Sequence, residues 1–558
     1  MHVNDQRSGR LDPAVPTEGA RSPGQRSQPA APRVPRIAGS RRWAAAAWIG
    51  GGVALFVILL RISLSNPANS DGANNALQAW DMLHGHVLLH GWIIGDASCY
   101  TFELPAYAII EFFSGLTILV FHLGAALTYL IVVAFSVALA AAGSRGAAVA
   151  ARCGIVVAVL AAPIATQQGT SILVAQPDHI GTSAFLLGSF LLIDRVPGRR
   201  FTPPLLAVIL CAAQLGDATA LYVAVPAILL VCAYRIVAAR KIRTSDTAIA
   251  VAAAASVPLE MLTRAVMRHF GGYLMVAPRT RVSPISHWPQ HVMLTWRAIR
   301  TLYGAFGATV VDAHAPLAGP ASVFGLACLL AAAFGFAKVV AAWTTASRAE
   351  QLVCVAIVVN LAAYVVSTMP STFSSREVAA VLPCGAVLAA RACVPGRIAD
   401  APRARVAVAS AAVAALLPLA AGVTLPPVTP AAAPLAAFLS AHRLTYGIAG
   451  YWDASVVTLQ SGNQVQVRAV VKRGDQIAAY YWESRADWYA PSRHDATFVI
   501  TDPFVDSETL TRAIAERRFG RPAAIYQAAG RQILVYRTNL LERLGRRSSL
   551  RRRTTASG

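Results

Sequence analysis

Residues 69–92 read NSDGANNALQAWDMLHGHVLLHGW and follow directly on the first long apolar run of the chain. The strip holds two carboxylates, Asp71 and Asp81, three histidines and two tryptophans, and neither lysine nor arginine. At helical spacing Asp71, Asn74, Gln78 and Asp81 share one face, and Ala73, Ala76, Leu77, Trp80 and Leu83 share the other. Asn69 or Ser70 is placed to cap the start, and Gly85 to stop it. The spacing predicts an amphipathic helix lying at a membrane surface, with Trp80 at headgroup depth and the polar face turned towards an aqueous cavity.

The remainder of the chain supplies that membrane. Of 558 residues, 56% are hydrophobic and only 14% charged, more apolar side chain than a globular core can hide. A span needs roughly 20 apolar residues to cross about 30 Å of hydrocarbon. About eleven such runs are legible, centred near residues 54, 134, 160, 186, 210, 228, 256, 329, 359, 385 and 414. The fold class expected is an all-α polytopic membrane domain of about 11 transmembrane helices, with a small α/β domain at the C-terminus. The eight cysteines fall inside predicted spans, Cys99 apart, and read as small apolar residues and not as a disulfide framework. The formal charge of +22 is almost wholly arginine, a genome-wide bias in character, and no nucleic-acid partner is expected.

Basic residues set the topology. The N-terminal tail is Arg-rich, and alternate connections carry Arg145 and Arg152, Arg195, Arg199 and Arg200, Arg235, Arg240, Lys241 and Arg243, then Arg348, then Arg397, Arg403 and Arg405. The intervening connections 66–104, 166–177 and 214–219 carry none. The N-terminus is therefore expected in the cytoplasm and the C-terminal domain outside, in a cell membrane. Residues 1–42 read as a disordered Arg/Pro-rich tail without a signal sequence, and 43–424 as the membrane domain, with long external segments at 66–122 and 266–318. Residues 425–439 read as a Pro/Ala linker, 440–537 as the external α/β domain and 538–558 as a basic disordered tail. In the α/β domain ASVVTL, VQVRAVV, ATFVIT and QILVYR are expected as strands, around a helix in SETLTRAIAERRF.

A second surface helix is predicted at ELPAYAIIEFF, with Pro105 in its first turn and Glu103, Tyr107 and Glu111 along one side. With two such helices placed after the first span, SDGANNALQAWDMLHGHVLLHG resembles the first external loop of the multi-pass C-type glycosyltransferases, the superfamily of protein mannosyltransferases, aminoarabinose transferases and their bacterial relatives. In that family an acidic residue shortly after the first span precedes an A..L..G helix and then a PPLYY-like helix. Asp71 stands at the acidic position and LPAYAII, from Leu104, at the second helix; Ala106, where a second proline is common, departs from the pattern. The resemblance extends loosely to the topology. It implies a polyprenyl-phosphate sugar donor, an extracytoplasmic acceptor (glycan, lipid or protein), and a first-loop carboxylate that takes the acceptor proton or positions the acceptor. It also implies a second carboxylate in the next external connection, where AQPDHIGTS supplies Asp178 with His179. Asp71 and Asp178 are the catalytic candidates, each equally readable as a helix cap. Asp217 is a weaker third, and Asp81, Glu103, Tyr107 and His179 are the candidates for the acceptor cavity.

A lipid phosphate that leaves needs cations, and arginine offers the matching fork. Arg268, Arg279, Arg281, Arg297 and Arg300 break the uncharged trend of the external segments. Arg376, beside Glu377 in FSSREVAAVLP at the mouth of a span, is the foremost phosphate ligand, with Arg279 and Arg281 behind it; an ion pair with a loop carboxylate is its structural alternative. HWPQHVMLTWRAIRTLYGAFG places Val292, Trp296, Ile299 and Tyr303 on one face, a further surface helix and a candidate lid. His84, His86 and His90 invite a zinc reading, but Gly85 and Gly91 interrupt the helix and no cysteine is near. No cofactor is required, and a divalent metal is left open by the resemblance. The aromatics Trp452, Tyr480, Tyr481, Trp482, Trp488 and Tyr489 read either as a glycan-stacking surface or as the core of the external domain. The functional expectation is a glycosyltransferase, against a transporter or lipid-handling protein or a degenerate scaffold. Its geometric form is that Asp71, Asp178 and Arg376 line one outward-facing cavity.

Overall fold

The structure, a computed structural model, describes residues 39–175, 179–240, 244–276, 280–305, 318–396, 402–430, 432–474, 476–502 and 510–544. The chain divides at Gly51 into two units: the first holds the start of helix α1, and the second, Gly52–Gly558, holds the bundle and the C-terminal domain.

After α1 (Gly39–Ser63) come α2 (Ser70–Leu83), a short strand β1 (Trp92–Ile94) and α3 (Glu103–Ser114). The bundle continues through α4 (Ile118–Ala141), α5 (Ala147–Ala161), the single turn α6 (Gln167–Thr170), α7 (Thr182–Arg195), α8 (Thr202–Gly216), α9 (Thr219–Ala238) and α10 (Thr244–His269). Strand β2 (Leu274–Met275) and α11 (Trp288–Leu302) precede α12 (Ala318–Ala341), α13 (Arg348–Val366), α14 (Val381–Cys393) and α15 (Pro402–Thr424). Each of the eleven centres read from the sequence falls inside a helix of its own. Among the described residues seven helices are long and apolar enough to cross a membrane: α1, α4, α5 with the turn after it, α9, α10, α12 and α13. α7 and α14, at 14 and 13 residues, are shorter. The bundle core gathers Leu59, Ile62, Tyr129, Phe190, Tyr303 and Leu382 from separate helices.

The C-terminal domain contains α16 (Ala432–Ala441), β3 (Tyr446–Ala449), α17 (Tyr451–Gln460), β4 (Gln466–Arg473), β5 (Gln476–Ala479), β6 (Ser484–Arg485), β7 (Phe498–Thr501), α18 (Arg512–Phe519), β8 (Ala524–Ala528) and β9 (Arg531–Val535). Six strands form one sheet in the order β5-β4-β3-β7-β9-β8, with β3 parallel to both β4 and β7. One face packs on α16, α17 and the first-loop helices through Leu439, Val457, Phe498 and Trp92. The other packs on α18 through Ile448, Val499, Ile514 and Phe519.

Two readings change here. ASVVTL lies in α17 and not in a strand: all of its residues are buried, Ala454, Val457 and Leu459 among them in the core against the sheet, and that burial outweighs the β-preference of the paired valines. Part of the stretch read as a linker is α16, with Pro434 in its first turn and Leu435 and Leu439 buried. The strand segments β4, β7 and β9 match VQVRAVV, ATFVIT and QILVYR.

A second, three-stranded sheet ties distant segments. β1 of the first loop pairs parallel to β2 (Ile93 with Leu274) and antiparallel to β6 (Trp92 with Arg485). The polar face of α2 is consequently covered by the C-terminal domain and does not face open water. Asn74 and Gln78 are fully buried. The exposed apolar residues Ile109, Phe112 and Phe113 lie on α3, and Val292, Met293 and Trp296 on α11, two faces fit for a membrane surface.

Candidate active site

Five connections meet at the end of the bundle that bears the C-terminal domain. The first loop is pinned to the end of α8: Ser98 Oγ donates to Leu215 O (2.6 Å), Thr101 Oγ1 to Ala212 O (2.7 Å), and Cys99 N to Gly216 O (3.0 Å). Glu103, buried at the start of α3, lays its carboxylate against Gly181, where any Cβ would overlap it. Residues 281–283 run beside 366–368, with Thr368 N donating to Arg281 O (2.9 Å) and Ser283 N to Val366 O (2.7 Å). That places the Arg281 segment on the loop that leads to Arg376.

At the centre His179 bridges two carboxylates. Its Nδ1 lies 2.9 Å from Asp217 Oδ2 and 3.2 Å from Thr219 Oγ1, and its Nε2 lies 3.3 Å from Glu377 Oε2. Ionised carboxylates only accept, so a doubly protonated imidazolium satisfies both sides. Thr182 Oγ1 (2.5 Å) and Thr219 N (2.8 Å) also donate to Asp217. Burial pushes the Asp217 carboxyl up, but the charge of His179 and these donors outweigh it and leave the pKa below its ordinary 3.8. Beyond Glu377, whose Oε1 is 3.9 Å from Arg376 Nε, the chain of charges reaches a side chain that is 39% exposed. Two small cavities adjoin this cluster, one against Asp217 and one against His179. One is lined by Thr101, Glu103, Thr182 and Asp217, the other by His179, Ser183, Thr219 and Glu377.

Asp71 lies elsewhere on the same end. Asn69 caps α2, accepting from Gly72 N at 3.0 Å, so the N-cap is Asn69 and not Asp71. Asp71 Oδ1 accepts the phenol of Tyr451, the first residue of α17, at 2.5 Å. It lines neither cavity, and nor does Arg376, so the single shared cavity expected from the sequence is absent among those described. Asp178 and Arg279 lie outside the described residues.

Asp81 sits in a different network. It accepts from Trp92 Nε1 (2.8 Å), from Arg485 NH1 (3.0 and 3.1 Å) and pairs with His86 Nδ1 (2.8 Å), joining the first loop to β6. Arg485→Ala leaves Asp81 half-satisfied at that junction. The expected cost is about 1–3 kcal/mol, seen as faster hydrogen exchange in β1 and β6 while the bundle is unchanged; equal exchange would show that the pair does not hold the two together.

Tyr107 is fully buried, its ring against Gly124 and its hydroxyl 3.5 Å from Phe121 O, a packing position between α3 and α4. One turn on, Glu111 is 1% exposed, and burial pushes its carboxyl up from 4.5 to about 9. The folded chain thus keeps a proton that the unfolded chain has released, so between those two values stability falls as pH rises. Glu111→Gln is expected to match the native chain near pH 4.5 and to be the more stable of the two at pH 8 in detergent melts; parallel curves would refute a buried neutral acid.

Sequence reasoning does not single out Glu377 or Tyr451, and it ranks Asp217 low. Glu377 stands visible beside Arg376, but its imidazole partner lies in another connection. Trp452 is 61% exposed, apart from the domain core that holds Tyr489. Of the three first-loop histidines, His86 pairs with Asp81 and His84 Nδ1 lies 2.7 Å from Trp80 O. Among the described residues no cluster of three or more His, Cys, Asp or Glu is arranged to hold a metal.

No family model matches the sequence, and no curated protein matches it either. Solved structures do match in fold. ArnT from Cupriavidus metallidurans in the apo state superposes with a TM-score of 0.54 at 12% identity, over 90% of this chain and 100% of that one. ArnT from the same organism bound to undecaprenyl phosphate gives 0.52 at 12% identity and the same coverage. This chain is a multi-pass membrane protein that shares its fold with ArnT.

Proposed function

We propose that the protein is an integral membrane glycosyltransferase that moves a sugar from a polyprenyl-phosphate donor to an extracytoplasmic acceptor in the cell envelope. The observation that carries the reading is the likeness to ArnT bound to undecaprenyl phosphate, which spans the whole of that chain. The acceptor hydroxyl attacks the anomeric carbon, the bond from that carbon to the phosphate oxygen breaks, and Asp71 takes the hydroxyl proton. The lipid phosphate leaves with both electrons of the broken bond, and Arg376, with Arg281 on the adjoining segment, meets its charge. Asp178, which precedes His179 in the sequence, is the supporting carboxylate. The arginine asymmetry of the connections supports a cytoplasmic N-terminus and an external C-terminal domain.

A scaffold or lipid-handling protein without chemistry is the second reading. One observation favours it: the two described cavities are small, and Asp71 opens into neither. The test uses the full chain in lipid nanodiscs with a panel of radiolabelled polyprenyl-phosphate sugars. Release of label from one lipid supports the transferase; binding without release supports the second reading; no binding at all removes the donor.

A further inference from the structure

Tyr451 and Asp71 are 380 residues apart in sequence, yet they touch, in a set of contacts that locks α2 to α17. Ser70 Oγ donates to Tyr451 O (2.6 Å), Asn74 Nδ2 to the Tyr451 phenol (3.3 Å), and Ser455 Oγ to Asn74 Oδ1 (2.5 Å). Ser70 and Asn74 lie one turn apart on α2, as Tyr451 and Ser455 do on α17, so the two helices mesh through matched polar turns. This is more than a peg for the domain, because one member of the set is the carboxylate assigned as base.

We propose that Tyr451 is a positioning residue for Asp71, through which the C-terminal domain sets the orientation and proton affinity of the first-loop carboxylate. The inference rests on the reading of Asp71 as the base. A hydrogen bond to an ionised carboxylate favours the ionised form and fixes its rotamer. The base therefore stays ready at lower pH, at some loss of basicity. Tyr451 is suited to donate at any working pH: its burial, then the nearby charges of Glu483 and Asp71, hold the phenol well above its usual value. Tyr480 also faces it, with its ring centroid 5.3 Å away. Domain and loop thus act as one unit, and a donor sugar meets a competent base only where α17 is seated.

The test compares the full native chain, Tyr451→Phe and Asp71→Asn in nanodiscs, following loss of label from the donor from about pH 3, below the ordinary aspartate range, up to about pH 8. Tyr451→Phe is expected to lower kcat, leave the donor KM unchanged, and move the acidic limb of kcat/KM upwards by about one pH unit, the order of one charged hydrogen bond. An unmoved limb with native kcat, alongside an inactive Asp71→Asn, overturns the proposal and leaves the transferase reading intact. Native turnover by Asp71→Asn overturns both the base and its positioning. Should Tyr451→Phe fail to fold, difluorotyrosine at 451 keeps the ring and strengthens the donor. The limb must then move downwards, and a shift in the other direction or none overturns the proposal.

Discussion

Asp71→Asn should lose about 10²–10⁴ of the rate of sugar release, the usual worth of a positioned general base, while donor binding persists. Asparagine keeps the shape of the side chain and an oxygen to accept from Tyr451, so α2 and α17 remain meshed. What disappears is the capacity to take a proton. The helix cap does not suffer, since Asn69 and not Asp71 caps α2. A loss of binding with a loss of fold would point to a structural carboxylate, and native turnover would remove the base. The check is single-turnover release of label in nanodiscs, with donor binding measured on the same preparation.

The second large effect concerns stability. Asp217→Ala removes the acceptor of three groups at once: the His179 imidazole, the Thr182 hydroxyl and the Thr219 amide. The imidazole would be left facing Glu377 with its other acceptor gone, in a site where both His179 and Asp217 are buried. Breaking a buried pair by deleting one partner costs about 3–5 kcal/mol, and His179→Ala, which leaves two facing carboxylates, should cost as much. The pH dependence has a definite sign. The Asp217 carboxyl sits below 3.8 in the folded chain, so its contribution is complete above that value and fades as pH falls through the lower one. Denaturant unfolding in mild detergent should show the deficit at pH 7 and a smaller one towards pH 3. A deficit under about 1 kcal/mol, the worth of one ordinary hydrogen bond, would mean that water, and not the imidazole, satisfies these groups.

Signals that are local in the chain are legible in the sequence. Apolar runs place the eleven helices, Asn69 and Gly85 bound α2, and the alternation in VQVRAVV gives β4. Contacts between distant segments are not. Nothing in NSDGANN announces a phenol from residue 451, and the residues around His179 do not name Asp217 or Glu377 as its partners. The polar face of α2 reads as facing water because a sequence carries no mark for the domain that later covers it. ASVVTL misleads for a related reason: its β-branched residues prefer strands in isolation, and only the packing of α17 on the sheet decides otherwise.

The small sheet of β2, β1 and β6 sets a schedule on the ribosome. Asp81 and its partner Arg485 are 404 residues apart. At about 5–20 residues per second, roughly 20–80 s separate the emergence of one from that of the other. During that interval α2 stands without the domain that buries it, and its alanines and polar face must be kept from other surfaces. The first loop therefore cannot be completed until the whole bundle has emerged, and any truncation before β6 leaves Asp81 without Arg485, in the unfinished state of a protein still being made.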